Sequence, residues 1–258
     1  MNHNDNTSLL SLVSAGDVLG QGDLTLGVKA HTLIRNDIIS GFYKPSQALR
    51  LEVLKERYGI SFSPIREALN RLQAEKLVVA APSKGFKVKP ISTPEMWDAI
   101  NTRVLIECEA LRLSIASNDK AWQMEVMKAY HSLRLTQRER PTSDCISGGC
   151  YEALEAKHSD FHRTLISACG SEWLMGYASQ LYSHTERYRR PSLMQVGGDS
   201  ARDIDAEHLA LVDAALAGDA NLACELLANH YRETGLWIQK ILEQSSGATE
   251  VIKHDRIL

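Results

Sequence analysis

The sequence predicts a mainly α-helical protein, with an N-terminal winged helix-turn-helix and a C-terminal all-α bundle of about six helices. Three observations lead to this fold class. Two amphipathic helices are separated by a turn containing Gly59, which is the spacing of a helix-turn-helix. A β-hairpin pattern follows the second of these helices. From residue 93 onward, apolar residues recur at helical spacing and no segment alternates as a strand does.

The first two helices are indicated by apolar periodicity and by a glycine directly after the C-terminal end of each. Residues 29–40 form a predicted helix that stops at Gly41, and residues 49–58 form a second helix that ends at Gly59. A turn then leads into a third helix. The order helix, short turn, helix is the one that places a recognition helix in DNA.

The third predicted helix, residues 60–77, carries the clearest functional pattern. Ser63 can cap it, Pro64 suits the first helical position, and Glu67 lies where a carboxylate favours the positive helix end. Its buried stripe would consist of Ile65, Leu69, Leu72 and Leu77. Arginine pairs with guanine or phosphate and asparagine with adenine, so the polar side chains off that stripe suit a DNA groove. They are Arg66, Asn70, Arg71 and Gln73.

A basic hairpin follows this helix. Two short β-rich runs flank residues 82–85, Pro-Ser-Lys-Gly, and this pattern predicts a hairpin. In a winged helix the hairpin is the wing, and Lys84, Lys87 and Lys89 would lie near phosphates or a minor groove.

The charge of the chain is distributed unevenly. The formal net charge is −3, yet residues 25–90 carry 12 Lys and Arg against 5 Asp and Glu. A basic segment joined to an acidic body favours a polyanion-binding module attached to a second domain with another task. A chance fluctuation would give the same charges, so the asymmetry supports the assignment without deciding it.

The composition indicates a cytoplasmic protein of two domains. The 258 residues suffice for two cores, and no apolar run approaches the length of a membrane span. The five scattered cysteines fit a reducing compartment. Cys145 and Cys150 flank a Gly-Gly loop, but without a second pair of ligands we interpret this segment as a plain loop rather than a zinc site.

The helical half divides at glycine-rich and polar breaks. Its predicted helices are residues 94–117, 120–138, 149–169, 172–190, 202–217 and 220–243. The predicted domain boundaries are a flexible segment 1–24, the winged helix-turn-helix 25–91, the helical domain 92–244 and a tail 245–258.

Four histidines of the helical half have positions that suggest a metal site. His158 and His162 lie four residues apart, so they share one face of a helix. His208 and His230 lie on either side of Gly218, at similar distances from the turn of a predicted helical hairpin, and are therefore nearly level. Such a set suits zinc, nickel or a similar divalent ion. The alternative is that each is a hydrogen-bonded core histidine, and spacing alone leaves both open.

These residues together resemble the GntR family of bacterial transcription regulators, in the branch with a FadR-like (FCD) effector domain. The likeness covers about residues 25–243. In the first domain it rests on Leu49-Arg-Leu, Ser63-Pro-Ile-Arg-Glu-Ala-Leu69, Glu75-Lys-Leu77 and Lys84-Gly-Phe-Lys-Val88. In the second it rests on Arg103-Val-Leu-Ile-Glu107, Phe161-His-Arg-Thr-Leu165, Ala168-Cys-Gly170, Glu207-His208 and His230. Residues 158–163, 168–171 and 187–189 are most similar to the CsiR-type regulators of carbon metabolism.

The resemblance implies a homodimer that binds a palindromic double-stranded operator and changes its grip when a small carboxylic or dicarboxylic acid enters the helical domain. Arg50 and Arg66 match the family's DNA-contacting arginines, and Gly85 matches the tip of the wing. The full set of predicted DNA-binding residues is Arg50, Ser61, Phe62, Ser63, Arg66, Asn70, Lys84 and Gly85.

Two positions depart from the family pattern. Phe62 stands where the family usually has an arginine, so one groove contact is expected to be missing or replaced. His158 stands where the family's metal site has an aspartate, so the predicted site consists of four histidines: His158, His162, His208 and His230. Asp160 is near in sequence but is expected on another face.

Arg103 is the residue we expect to bind an effector carboxylate. It lies on the inward stripe of its helix, and an arginine grips a carboxylate with two parallel hydrogen bonds. The alternative is a structural ion pair with Glu107, one turn away. Arg187, Tyr188 and Arg189 are second-rank effector candidates, since a basic run near a helix end is usually solvated.

Three functions are compatible with these features. The first is an effector-responsive DNA-binding regulator, expected to be a repressor. The second is a metal-dependent hydrolase with a DNA-binding-like appendage, although no carboxylate is clearly placed as a general base. The third is a helical interaction module with residual histidines. The sequence favours the regulator, and no catalytic residues are predicted.

Overall fold

A computed structural model describes residues 25–81, 85–138, 149–193 and 202–254 of the chain. The predicted N-terminal segment 1–24, the loop with Cys145 and the wing residue Lys84 lie outside these ranges. The predicted fold class is confirmed, because a small three-stranded sheet with helices is followed by a helical bundle.

The N-terminal unit is a winged helix-turn-helix. Its elements are α1 (Leu26–Ile39), β1 (Ala48–Leu49), α2 (Leu51–Tyr58), α3 (Phe62–Ala74), β2 (Val78–Ala81) and β3 (Gly85–Val88). The strands form an antiparallel sheet in the order β1-β3-β2. The apolar stripes of all three helices meet in one core, with Ile34, Leu54 and Ile65 fully buried.

The start of α3 corrects the predicted cap. The helix begins at Phe62, its N-cap is Ser61, and Ser63 lies inside the first turn. The first four amide groups of a helix have no partner within the helix, so Pro64 is tolerated two residues further in than predicted.

The end of α3 also differs from the prediction. The helix stops at Ala74, and Lys76 adopts a left-handed conformation with φ of 59°. The amide of Leu77 donates to the carbonyl of Leu72, which closes a Schellman motif and returns Leu77 to the core. No glycine marks this end, so the sequence placed Leu77 inside the helix.

The C-terminal unit is a bundle of long helices. They are α4 (Thr93–Ala116), α5 (Lys120–Arg138), α6 (Gly149–Leu165), α7 (Glu172–Leu193), α8 (Ile204–Leu216) and α9 (Ala220–His254). Helix α9 therefore continues past residue 243, where the sequence placed its end. None of the helices in the described ranges has the length and apolar character needed to cross a bilayer.

Helices α4 and α9 run antiparallel and in close contact. The Cys108 thiol donates to the carbonyl of Cys224, and the Trp97 indole donates to Gln239 at the other end of the pair. Gly235 permits this approach, because a Cβ there would lie 2.8 Å from the side chain of Ile100. The antiparallel pairing brings the polar middle of α4 level with the histidine-bearing part of α9.

Candidate metal centre, ligand pocket and nucleic-acid interface

The predicted DNA-facing side of α3 is exposed. Arg66 and Asn70 are solvent-accessible, while Ile65 and Leu69 on the opposite side are buried. The other described candidates, Arg50, Ser61, Phe62, Ser63 and Gly85, are also exposed. This is the arrangement a groove-reading helix requires, and contact of these residues with DNA stays a prediction.

One basic side chain of the wing lies differently from the expectation. Lys89 forms an ion pair with Glu95 at the start of α4, so its charge is directed away from the wing. Phe62, which replaces an arginine in the family pattern, lies beneath Lys55, whose Nζ is 4.9 Å from the ring centroid. A cation is thereby held above the position that the missing arginine would occupy.

The four predicted histidines meet in the centre of the helical bundle. His158 and His162 come from α6, His208 from α8 and His230 from α9. One ring nitrogen from each lies within 4.8 Å of the others. His208 and His230 thus lie level across the hairpin of α8 and α9, as the sequence predicted, since their ring centroids are 4.8 Å apart.

Hydrogen bonds orient three of these imidazoles. Tyr182 donates to Glu155, so its oxygen is left to accept from Nδ1 of His158 at 2.9 Å. Tyr231 likewise donates to Glu107 and accepts from Nδ1 of His162 at 3.0 Å. With Nδ1 protonated, each ring presents the lone pair of Nε2 to the centre.

Glu207 orients the third imidazole, because its carboxylate accepts from Nδ1 of His230 at 2.8 Å.

The Nε2 atoms of His158 and His162 face each other at 3.2 Å. Two nitrogen lone pairs at that distance repel each other unless a cation or a proton lies between them.

His208 provides the strongest sign that the cluster is built for an ion. The residue is 1% exposed, and neither of its ring nitrogens has a hydrogen-bond partner within the described part of the chain. A buried polar group without a partner costs about 1–3 kcal/mol, so such groups are rare in folded proteins. A metal ion among the four rings would satisfy the nitrogen that His208 directs at its neighbours.

Burial keeps the imidazoles in the form that binds metals. It lowers the pKa of His158 and of His162 well below the usual value, and nearby positive charges act in the same direction, from Arg189 on His158 and from Arg103 on both. The pKa of His208 is lowered by burial as well. The donor set is therefore neutral, and Asp160 does not join it, because its carboxylate pairs with Arg163 on the surface.

A cavity of about 300 Å³ opens onto His158 and His230. Arg103 lies on its wall, as predicted, and also forms the alternative ion pair, with Nε 2.7 Å from the Glu107 carboxylate. Both interpretations of Arg103 therefore fit the geometry. Tyr188 and Arg189 line the cavity too, and Arg189 pairs with Glu155.

Arg187 does not line this cavity. Its guanidinium donates to the carbonyls of Lys89 and Pro90 in the segment that joins the two domains. The expectation of an effector contact or a solvated side chain is thus corrected, because the turn of α7 points this residue at the linker. Arg202, which sequence reasoning missed, lines the cavity and pairs with Glu207. Its only sequence signal was its position five residues before Glu207.

Comparison with known proteins identifies both halves. Residues 26–88 match the family described as bacterial regulatory proteins, gntR family, and residues 98–233 match the FCD domain. This chain belongs to the GntR family. It is therefore a transcription regulator and not an enzyme, which confirms the regulator assignment within the first of the three functions considered.

Curated relatives of this GntR-family regulator match over most of their length. The transcriptional regulator BphR of Paraburkholderia xenovorans (strain LB400) is 42% identical over 197 residues, which cover 76% of this chain and 78% of BphR. The transcriptional repressor GlaR of Escherichia coli (strain K12) is 30% identical over 201 residues, covering 76% and 88%. The solved structure of E. coli McbR/YncC has a TM-score of 0.69 at 18% identity, covers 85% of this chain and 99% of that one, and shares the fold.

Proposed function

We propose that this GntR-family regulator is a homodimeric repressor whose grip on a palindromic operator is altered when a small carboxylic acid binds beside a metal ion in the helical domain. The observation that carries the proposal is the pair of unsatisfied nitrogens on buried His208, at the centre of four histidines that adjoin a cavity. Repression is inferred from the relative GlaR, which is named a repressor.

The four imidazoles would hold the ion. Their donor atoms are neutral nitrogens, a set that favours zinc or nickel over magnesium or calcium. When bound, a divalent ion supplies a concentrated positive charge beside the cavity, and a neutral donor set leaves that charge undiminished. Arg103 would act with it, since part of its guanidinium faces the same space while Glu107 fixes its orientation.

The DNA-binding role would belong to α3 and the wing. Arg66 and Asn70 are placed to read base edges, and Arg50 is placed to contact phosphates from the N-terminal end of α2. A dimer would present two such helices to the two half-sites of a palindrome.

Helix α7 offers a direct connection between the cavity and the DNA-binding domain. Thr185 accepts a hydrogen bond from Arg103, whereas its neighbour Glu186 pairs with Arg35 of α1 and the next residue, Arg187, binds the linker. A ligand that turns or shifts α7 would change contacts at both places. Such a ligand alters DNA affinity by favouring one arrangement of the two domains over another.

The proposal is tested by melting the chelated protein, then adding single divalent metals and a panel of mono- and dicarboxylic acids. A ligand that binds only the folded chain raises the melting temperature. We expect zinc or nickel to stabilise the protein, and an acid to add stability only when the metal is present. Stabilisation by acids alone would assign the effector to Arg103 and its neighbours without an ion, and the absence of any metal effect would overturn the metal site.

A further inference from the structure

The cavity beside the histidines is chemically divided along its length. Because α4 and α9 run antiparallel, the polar residues of both helices lie together at one end of the cavity and the apolar residues lie together at the other. Arg103 of α4 faces His230 and Tyr231 of α9 at the polar end. At the other end, the wall is formed by the side chains of Met96, Ile100, Trp237 and Ile238.

The two ends are separated by the length of a small organic molecule. His230 and Trp237 lie seven residues apart on α9, which corresponds to about 10 Å along a helix. Tyr188 of α7 lies near the apolar end, since the residue before it, Arg187, contacts the linker that precedes α4. The cavity therefore combines two parts. One part is a site for an anionic group, and the other is an apolar compartment whose wall includes the aromatic rings of Tyr188 and Trp237.

The positive charges of the cavity are confined to its polar half. Arg103, Arg189 and Arg202 are the Lys or Arg side chains on the described part of the cavity wall. Each is already paired with a carboxylate: Glu107, Glu155 and Glu207, respectively. Arg202 also donates to the carbonyl of His230 at 2.9 Å, which places it level with the metal-binding rings.

A second carboxylate on the ligand would find no cation among the described residues of the apolar end. Asp205 also lies on the cavity wall, one turn of α8 before His208, but its carboxylate is paired with Arg134 and offers a second ligand carboxylate no cation. Burying an ionised carboxylate among apolar side chains without a partner is strongly unfavourable. An apolar body in the same place gains by leaving water and by packing against aromatic rings.

We infer that the effector of this regulator is a monocarboxylate with a single aromatic ring, its carboxylate at the histidine end and its ring between Trp237 and Ile100. This inference rests on the proposed function and narrows the expected class of small acids. It excludes dicarboxylates as the preferred ligand. It makes Trp237 a specificity-determining residue rather than part of the anion site.

The test compares 3-phenylpropanoate, acetate, succinate and benzyl alcohol as ligands of the full-length, zinc-loaded protein by isothermal titration calorimetry. We expect 3-phenylpropanoate to bind at least tenfold more tightly than acetate or succinate, and the alcohol, which lacks the carboxylate, to bind at least tenfold more weakly than the phenyl acid. Tighter binding of succinate than of 3-phenylpropanoate would overturn the inference.

Variants locate the ring in the cavity. Trp237→Ala should weaken 3-phenylpropanoate at least fivefold and leave acetate unchanged, while Trp173→Ala, on an exposed tryptophan far from the cavity wall, should change neither. Because Trp237→Ala could disturb folding, Trp237→Lys serves as a second variant, and it should reverse the preference toward succinate. Unchanged affinities in both folded variants would contradict the assignment.

The outcomes separate this inference from the function it rests on. If succinate binds and alters operator affinity, the regulator function stands and the aromatic class is wrong. If none of the acids binds although zinc does, both the effector site and its ligand class are overturned.

Discussion

Arg35 of the DNA-binding domain donates a hydrogen bond to Glu186 of the helical domain, with 2.7 Å between Nη2 and Oε2. Both side chains are shielded from water, with exposed fractions of 22% and 10%. The residue before Glu186 contacts Arg103 in the cavity, and the residue after it binds the linker. Three consecutive residues of α7 thus connect the ligand cavity, the recognition unit and the segment between them.

Breaking this contact should uncouple the two domains. In Arg35→Ala or Glu186→Gln, we expect the effector-induced change in operator affinity to fall from about tenfold to less than about threefold, because the domains lose a shared constraint. Fluorescence anisotropy with and without effector measures this. The double variant should be no worse than either single one, since both remove the same pair. Arg163→Ala, which breaks a surface pair with Asp160, is the matched control and should leave the response intact.

Arg66→Ala should weaken specific operator binding by about 1–3 kcal/mol and relax the sequence preference at one position of each half-site. The effector affinity should not change, because Arg66 lies on the exposed side of α3, away from the cavity. Competition binding with single-base variants of the operator provides the measurement. Arg112→Ala, on an exposed arginine of α4, controls for the loss of one positive charge. Retained specificity in Arg66→Ala would show that another side chain reads the groove.

His208→Leu should separate metal binding from folding. The variant would lose a proposed ligand but would also remove two buried nitrogens that have no partner in the described ranges, so the chelated protein should gain about 1–3 kcal/mol of unfolding free energy. The rise in melting temperature with zinc should disappear. His131→Ala, on an exposed histidine of α5, should behave as the unmodified chain in both conditions. A zinc response that survives in His208→Leu would mean that the ion is held elsewhere.

Acid should destabilise the protein by protonating Glu95, which pairs with Lys89 of the segment between the two domains. Burial alone would raise the pKa of this carboxyl, but the hydrogen bond and charge of Lys89, with His184 beside it, hold the pKa below its usual value. The folded-state pKa is thus lower than the unfolded one, so the stabilisation is present above the unfolded value of 4.5 and is lost as the pH falls through the folded value.

Glu95→Gln should therefore lower the free energy of unfolding at pH 7, with a difference from the original chain that shrinks below about pH 4.5. Urea titrations across the pH range measure this difference. Glu125→Gln, at an exposed pair with Lys128, should show little difference at any pH. If the difference in unfolding free energy between the two proteins stays constant down to pH 3, the ionised Glu95 carboxylate is not the source of the stabilisation.

The sequence was most informative where chemistry follows from local spacing. His158 and His162 share a face because they are four residues apart, and His208 and His230 are level because the turn at Gly218 is short. The same holds for the exposed and buried sides of α3. Periodicity and turn residues determine such features before any tertiary contact is formed.

The sequence was least informative where the role of a residue depends on packing between distant segments. Arg187 binds the linker only because α7 lies against residues about 100 positions earlier in the chain, such as Lys89. It could not be foreseen that both ring nitrogens of His208 lack a hydrogen-bond partner among the residues described, since the hydrogen bonds of a histidine depend on which side chains surround it. The division of the cavity into polar and apolar ends likewise arises from the pairing of α4 with α9.

The most direct test of the central claim is the operator affinity of the zinc-loaded protein in the presence and absence of carboxylic acids, for the original chain and for His208→Leu. A DNA duplex selected from a random pool by the original chain serves as the operator, and fluorescence anisotropy gives the dissociation constant. At least one acid should change the affinity of the original chain by about tenfold and leave that of His208→Leu unchanged. An equal response in both proteins, or constant DNA affinity while an acid is bound, would contradict the account.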